Sequence, residues 1–200
     1  IFFPFQYQPE RTTNPIGGHF FKHERVVKMI LECLPKDWFL YLKEHPRQFS
    51  KGNTRYGNHG RSESFYTDFI KTKRVKFISL KIDSHQLLDN SLAVATISGS
   101  TGWEAVARGK SALLFGHAWY RGCEGVHFIE SKKDLEKTFK LIKQKNIVDL
   151  KKVKIFGKSL ENTSFFGAVG GPSFLEKRGV NSIQNAEAHF EALENILKLS

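Results

Sequence analysis

Between Ser98 and Gly102 the chain reads Ser-Gly-Ser-Thr-Gly, with Glu104 close behind. Hydroxyls and unhindered backbone N–H groups at the start of a helix meet an anion well, because the macrodipole and the orphan amides there both favour negative charge. A phosphate fits such a loop. The same residues have a second reading: Thr101 and Glu104 have the spacing of a capping box, which satisfies a helix start with no ligand. Position weighs between the two. Leu92 to Ile97, before the loop, is an apolar strand-like run; Trp103 to Arg108 is a short helix; Gly109 turns the chain into a second apolar strand, Ser111 to Phe115. Open α/β folds bind ligands at the carboxyl ends of parallel strands, which is where this loop falls.

The elements that must position the loop are spread along the chain. Ile1 to Tyr7 reads as a buried strand, and the prolines of the polar stretch Gln8 to Pro15 block a helix there. Gly17-Gly18 leads into a helix with Phe20, Val27, Ile30, Leu31 and Leu34 on one face, ended by Pro35. Asp37 to Lys43 is the next strand, with Glu44-His45-Pro46 just past its end. Arg47 to Glu63, rich in Gly, Asn, Ser and basic residues, reads as a mobile surface loop of the kind that serves as a lid. A short helix from Ser64 to Ile70 follows, then a strand from Val75 to Leu80 and a helix from Asp83 to Asp89, capped by Asp83 or Ser84. Beyond the central unit, Gly116 to Gly122 is a loop at another strand end. Val126 to Ile129 is a strand, and Leu135, Phe139 and Ile142 mark a helix ending near Asn146. Strands recurring at roughly 15- to 35-residue intervals with helices between them predict an α/β fold with a doubly wound parallel, Rossmann-like sheet.

Two hundred residues, 40% of them hydrophobic and 13% aromatic, suit one globular domain with an appendage. The expected division is a Rossmann-like domain over residues 1–150 and a less regular tail over residues 151–200. In the tail, SFFGAVGGPSF puts aromatics in a Gly-rich loop. Ala186 to Leu199 is an amphipathic helix with Phe190, Leu193, Ile196 and Leu197 on one stripe, expected to pack on the domain or on a portion preceding Ile1. The chain opens in a strand with neither Met nor a signal sequence, which reads as a fragment lacking its natural N-terminal part. No apolar run reaches the roughly 18 residues of a membrane span. Cys33 and Cys123 make neither a disulfide framework nor a zinc site, so a cytoplasmic setting is expected. A net charge of +11 calls for a negative partner: nucleotide phosphate, anionic lipid, acidic glycan or nucleic acid. Much of the excess lies between Lys132 and Lys158, where solvated helix faces explain it.

Taken together, the segments QPERTTNPIGGHF, LYLKEHP and VATISGSTGWEA resemble the capsule polysaccharide biosynthesis family of bacterial transferases, relatives of the capsule Kdo transferases, over about residues 1–130. SGSTGWEAVARGKSALLFG is similar to the nucleotide-sugar signature of GT-B glycosyltransferases. The resemblance implies that residues 1–150 are the C-terminal, nucleotide-sugar-binding half of a GT-B architecture. It implies donor phosphate on Ser98, Gly99, Ser100 and Thr101, ribose hydroxyls on Glu104, and a phosphate hydrogen bond from His45, whose protonated imidazole would stabilise the leaving nucleotide.

Glycosyl transfer also needs a base for the acceptor hydroxyl. Glu10, beyond the first strand on the same edge as His45, is the best carboxylate for acceptor or donor contact. His117, Tyr120 and Arg121 lie in a loop on the predicted ligand edge and are further donor contacts. The remaining histidines, His19, His23, His59, His85, His127 and His189, are scattered without ligand spacing and read as surface or core-edge residues. No D-x-D pair suited to a metal–diphosphate occurs, so no metal or other cofactor is expected beyond a CMP-, UDP- or GDP-linked donor. The expected partners are that donor, a glycan or glycolipid acceptor and the inner face of an anionic membrane, touched peripherally; nucleic acid is not expected. Two other functions share these residues: a non-hydrolysing sugar-nucleotide epimerase, which would need acid and base groups around the sugar, and a non-enzymatic polyanion-binding module.

Overall fold

The computed structural model describes residues 1–8, 10, 13–49, 61–145, 148–165, 167–168, 172–177 and 179–198. Most of the predicted lid, residues 50–60, lies outside the described residues. The chain divides into two compact units, Ile1–Lys154 and Ile155–Ser200.

The first unit is built on six parallel strands: β1 (Phe2–Pro4), β2 (Leu40–Lys43), β3 (Val75–Phe77), β4 (Ala93–Thr96), β5 (Ser111–Leu114) and β6 (Val126–Phe128). They lie in the order β3-β2-β1-β4-β5-β6, all neighbours parallel. The order runs outward one way from β1 through β2 to β3, then restarts beside β1 with β4 and runs the other way. That is the doubly wound, Rossmann-like topology, and it puts a switch point between β1 and β4. The connecting helices are α1 (His23–Cys33), α2 (Glu63–Ile70), α3 (Ser84–Asp89), α4 (Thr101–Ala107) and α5 (Lys132–Lys143).

Each strand is shorter than the apolar run that signals it. β1 ends at Pro4, although Phe5 N still donates to the Lys43 carbonyl at 2.8 Å. Beyond Phe5 the ladder gives way to side-chain bonds. Gln6 N donates to His23 Nε2 at 3.1 Å, and the Gln6 amide group turns to Ser98 on the other side of the switch point.

The core follows the predicted stripes. Val26, Val27 and Ile30 of α1 are fully buried against the sheet, with Phe3, Phe5, Leu40, Leu42 and Leu113. Each such side chain contributes about 1.5–3 kcal/mol relative to exposure. The helix predicted from Phe20 starts later, at His23, because Gly18–Phe20 forms a separate 3-10 turn. Gly17, just before it, sits so close to the sheet that a Cβ would meet the Thr13 carbonyl and the Ile97 side chain. The segment before α1 therefore lies directly on the carboxyl end of β4. On α5, Ser131 and Asp134 form a capping box, and Phe139 meets Trp38 edge-on with ring centroids 5.5 Å apart.

Leu150 to Thr163 forms a helix, α6, where the tail was expected to be less regular; the unit division falls inside it. Val153 is its one fully buried residue, with Phe156 and Leu160 half-buried on the same stripe. The second unit also holds α7 (Pro172–Lys177) and α8 (Ser182–Lys198). Within it the Asn185 side chain donates to the Ala168 carbonyl and accepts from its N–H, at 3.0 and 2.7 Å. The α8 residues Phe190, Leu193, Ile196 and Leu197 are all more than half exposed. No helix among the described residues is long and apolar enough to cross a membrane.

His23 is buried, and burial, helped by the Arg61 charge, holds its pKa well below the ordinary value. A base that stays neutral in the fold but charges when unfolded makes the unfolded state bind more protons, so stability is intact above the ordinary histidine pKa and drains away below it. The unfolding free energy should fall as pH drops below about 6.5, with a slope approaching 1.4 kcal/mol per pH unit from this residue. Chemical denaturation across that range should show a shallower slope in His23→Gln; an unchanged slope would mean that the imidazole does not titrate with unfolding.

A cleft at the switch point

At the carboxyl ends of β1, β2 and β4 lies a cleft of about 450 Å³. Its lining includes Glu10, His45, Ser98, Gly99, Ser100, Thr101 and Glu104, so residues far apart in the chain share one space. His45 and the Gly-Ser-Thr loop therefore face each other across one edge of the sheet.

The loop is tied down on one side. Gln6, from the end of β1, accepts from Ser98 N and donates to Ser98 Oγ, both at 3.2 Å. Gly99 N donates to Thr96 Oγ1 at 2.9 Å. Those two amides are committed, whereas the amides of Ser100 and Thr101 have no protein acceptor among the described residues. The predicted capping box does not form. Ser100 is the N-cap of α4, and its hydroxyl donates to Glu104 Oε1 at 3.0 Å instead of accepting from the helix backbone. Two residues that the sequence reading gave to phosphate and ribose are thereby joined.

Tyr120 is not a donor contact. It is 0% exposed, and its hydroxyl donates to the Gly99 carbonyl from beneath the loop. A Cβ at Gly102 would run into that hydroxyl, so the glycine is what lets the tyrosine support the turn. Burial pushes the Tyr120 pKa up and keeps the phenol protonated as a donor. His117 and Arg121 also lie outside the cleft lining. Arg121 stacks 3.6 Å over the Phe128 ring and reaches His117 Nδ1 at 3.3 Å, on the outer edge by β6. Trp103 is half-buried and packs on Trp119, which is 58% exposed.

His45 starts a short 3-10 turn, Pro46–Phe49, with proline in the first position, where its missing N–H costs nothing. Arg47 N donates to His45 Nδ1 at 3.2 Å, which leaves Nε2–H as the donor of the neutral ring. Burial lowers the His45 pKa, against the opposing pull of Glu10. Burial thus favours the neutral ring, with Nε2–H as its donor. The Gln48 side chain clamps the neighbouring strand extension by accepting from Gln8 N at 2.9 Å and donating to the Gln8 carbonyl at 3.3 Å.

Glu44 lines the cleft, but its carboxylate is engaged. Arg61 Nε lies 2.6 Å from one oxygen, Tyr66 Oη donates to the same oxygen at 2.9 Å, and the guanidinium is sandwiched between Phe5 and Phe65. Three further residues escaped the sequence reading. Lys43, the last residue of β2, is 5% exposed and donates to Ser84 Oγ at 2.7 Å. Ser84 and His85 open α3, with His85 Nδ1 lying 3.7 Å from Glu104 Oε2. A lysine at the end of an apolar strand run and a histidine beside a helix cap carry no local mark, because their partners come from distant segments.

An open, all-parallel sheet flanked by helices is a Rossmann-like α/β architecture, and its cleft lies at the switch point, where proteins of this architecture receive their ligands. The sequence model of the family described as capsule polysaccharide biosynthesis protein matches residues 11–153. The chain belongs to the capsule polysaccharide biosynthesis protein family. Among solved structures it is similar to Thermosulfurimonas dismutans KpsC, beta Kdo 2,7 transferase, with 15% identity and a TM-score of 0.48, over 68% of this chain. The chain spans 43% of that structure's length. No curated protein sequence matches it.

Two substitutions test how the cleft is held. Tyr120→Phe removes only the hydroxyl and should cost about 0.5–1.5 kcal/mol while moving the amide resonances of Gly99 to Gly102; a spectrum unchanged there would remove the support role. Arg61→Met strands the Glu44 carboxylate indoors and should cost about 3–5 kcal/mol in chemical denaturation; a loss under 1 kcal/mol would mean that water already reaches it.

Proposed function

We propose that the chain is the donor-binding half of a nucleotide-sugar-dependent glycosyltransferase serving bacterial capsule or surface polysaccharide synthesis. Its membership of a capsule polysaccharide biosynthesis family supports the pathway. One observation carries the chemistry: His45, Glu10 and the loop from Ser98 to Glu104 line a single cleft at the switch point. On this reading residues 1–150 bind the donor and the acceptor is a glycan or glycolipid.

Breaking a sugar–phosphate bond leaves negative charge on the departing nucleotide while the sugar turns oxocarbenium-like. The enzyme gains most from donors aimed at that charge. The amides of Ser100 and Thr101, the Ser98 hydroxyl and His45 Nε2–H are the donors assigned to the phosphate. A phosphate beside His45 pulls its pKa back up, so the ring gains a proton, and with it charge, as the leaving group develops. Glu104 takes the ribose hydroxyls, with Ser100 fixing one carboxylate oxygen. Glu10, near enough to His45 to influence its titration, is assigned to the acceptor or the sugar.

His45→Ala should weaken nucleotide binding by about 1.5–3 kcal/mol, the worth of a hydrogen bond to a charged group. Isothermal titration of CMP, UDP and GDP into both forms measures this; equal affinities would remove His45 from the phosphate site.

A further inference from the structure

Lys43 has no assignment in this reading, yet it is the most heavily buried cation lining the cleft. Its ammonium has three donors, and the Ser84 hydroxyl takes one. Among the described residues it makes no ion pair. The carboxylates around it are engaged elsewhere. Glu44 belongs to Arg61 and Tyr66, and Glu104 is held by Ser100; Asp83, close enough to feel the Lys43 charge, makes no direct ion pair with it and accepts from His85 N and Gln86 N at the start of α3. A buried ammonium with no carboxylate in direct contact is costlier to fold around than the neutral side chain of similar length that could replace it. A chain that keeps a lysine there, at 5% exposure and on the wall of a cleft, has placed a counter-charge for something that enters.

We propose that Lys43 is a ligand-binding residue of this cleft, its ammonium forming the ion pair with a phosphate group of the bound molecule. The proposal rests on the donor-binding reading of the site and deepens it by assigning the charge that the phosphate meets. Lys43 ends β2 and His45 follows two residues later, so one strand end delivers both a full positive charge and a directional Nε2–H donor, opposite the loop after β4. Ser84 Oγ accepts from the ammonium and fixes its direction, while the next residue, His85, lies beside Glu104. The first turn of α3 thus lies against Lys43 and Glu104, two of the charged groups that line the cleft.

The test uses the whole chain with two probes, CMP and inorganic pyrophosphate, on wild type, Lys43→Met and Lys43→Gln. Both variants should unfold no earlier than wild type, because each removes a buried charge. Both should bind either probe roughly 10- to 100-fold more weakly. If wild type binds CMP and both variants bind it equally well, the assignment of Lys43 falls while the donor-binding reading stands. If wild type binds pyrophosphate through Lys43 but none of CMP, UDP and GDP, the assignment stands and the nucleotide reading falls; binding of neither probe ends both. Should the variants fail to fold, ¹³Cε-lysine spectra of the unmodified chain decide. The Lys43 signal should move on saturation with pyrophosphate, and a stationary signal overturns the proposal.

Discussion

Everything that converges at the cleft does so because the strand order reverses between β1 and β4. On either side of that line successive strands are added outward in opposite directions, so the carboxyl ends of the two middle strands are left with a crevice between their loops. The same topology that buries Phe3, Leu42 and Val94 thus fixes where a polar ligand can be received. Gln6 stitches the line shut at its base, bonding to both the amide and the hydroxyl of Ser98 across it. Above that stitch the two sides carry different tools: Lys43 and His45 from β2, and the Ser-Gly-Ser-Thr turn with Glu104 from β4.

The polar groups beneath the cleft are organised so that those above it remain usable. Tyr120 supports the loop from below, Arg61 and Tyr66 take the Glu44 carboxylate, and Thr96 takes the Gly99 amide. Each satisfies a group that would otherwise be buried without a partner. The chain's large positive charge has a different origin. The lysines of α5 and α6 are exposed and belong to solvated helix faces, as their sequence run implied, whereas Lys43, on the cleft wall, ends an apolar strand run and is buried.

The fold was legible because its signals are local. Short apolar runs, a glycine or polar loop after each, and helical stripes between them give the parallel sheet and most of its helices within a few residues. Boundaries moved where tertiary bonds took over, as when Gln6 leaves the β1 ladder for His23 and Ser98. α6 carries a stripe of Leu150, Val153, Phe156 and Leu160, but its dense lysines make the segment read as a run of charge instead of as that stripe.

The loop and His45 were legible in the site because their residue types and strand-end positions advertise them. Lys43, Ser84 and His85 were not, since their roles depend on partners some 20 to 40 residues away in the chain. Tyr120 was misjudged for the opposite reason: it occupies a strand-end loop but turns inward, and only the space left by Gly102 reveals that.

The central claim, that the nucleotide's phosphate sits between the β4 loop and the end of β2, is tested most directly by mapping amide resonances while CMP, UDP and GDP are titrated into the whole chain. The account predicts that at least one nucleotide moves the signals of Ser98 to Glu104 together with those of Lys43 to His45, and leaves the β6 edge around Arg121 still. Shifts confined to that edge, or none near the loop with any nucleotide, would contradict it.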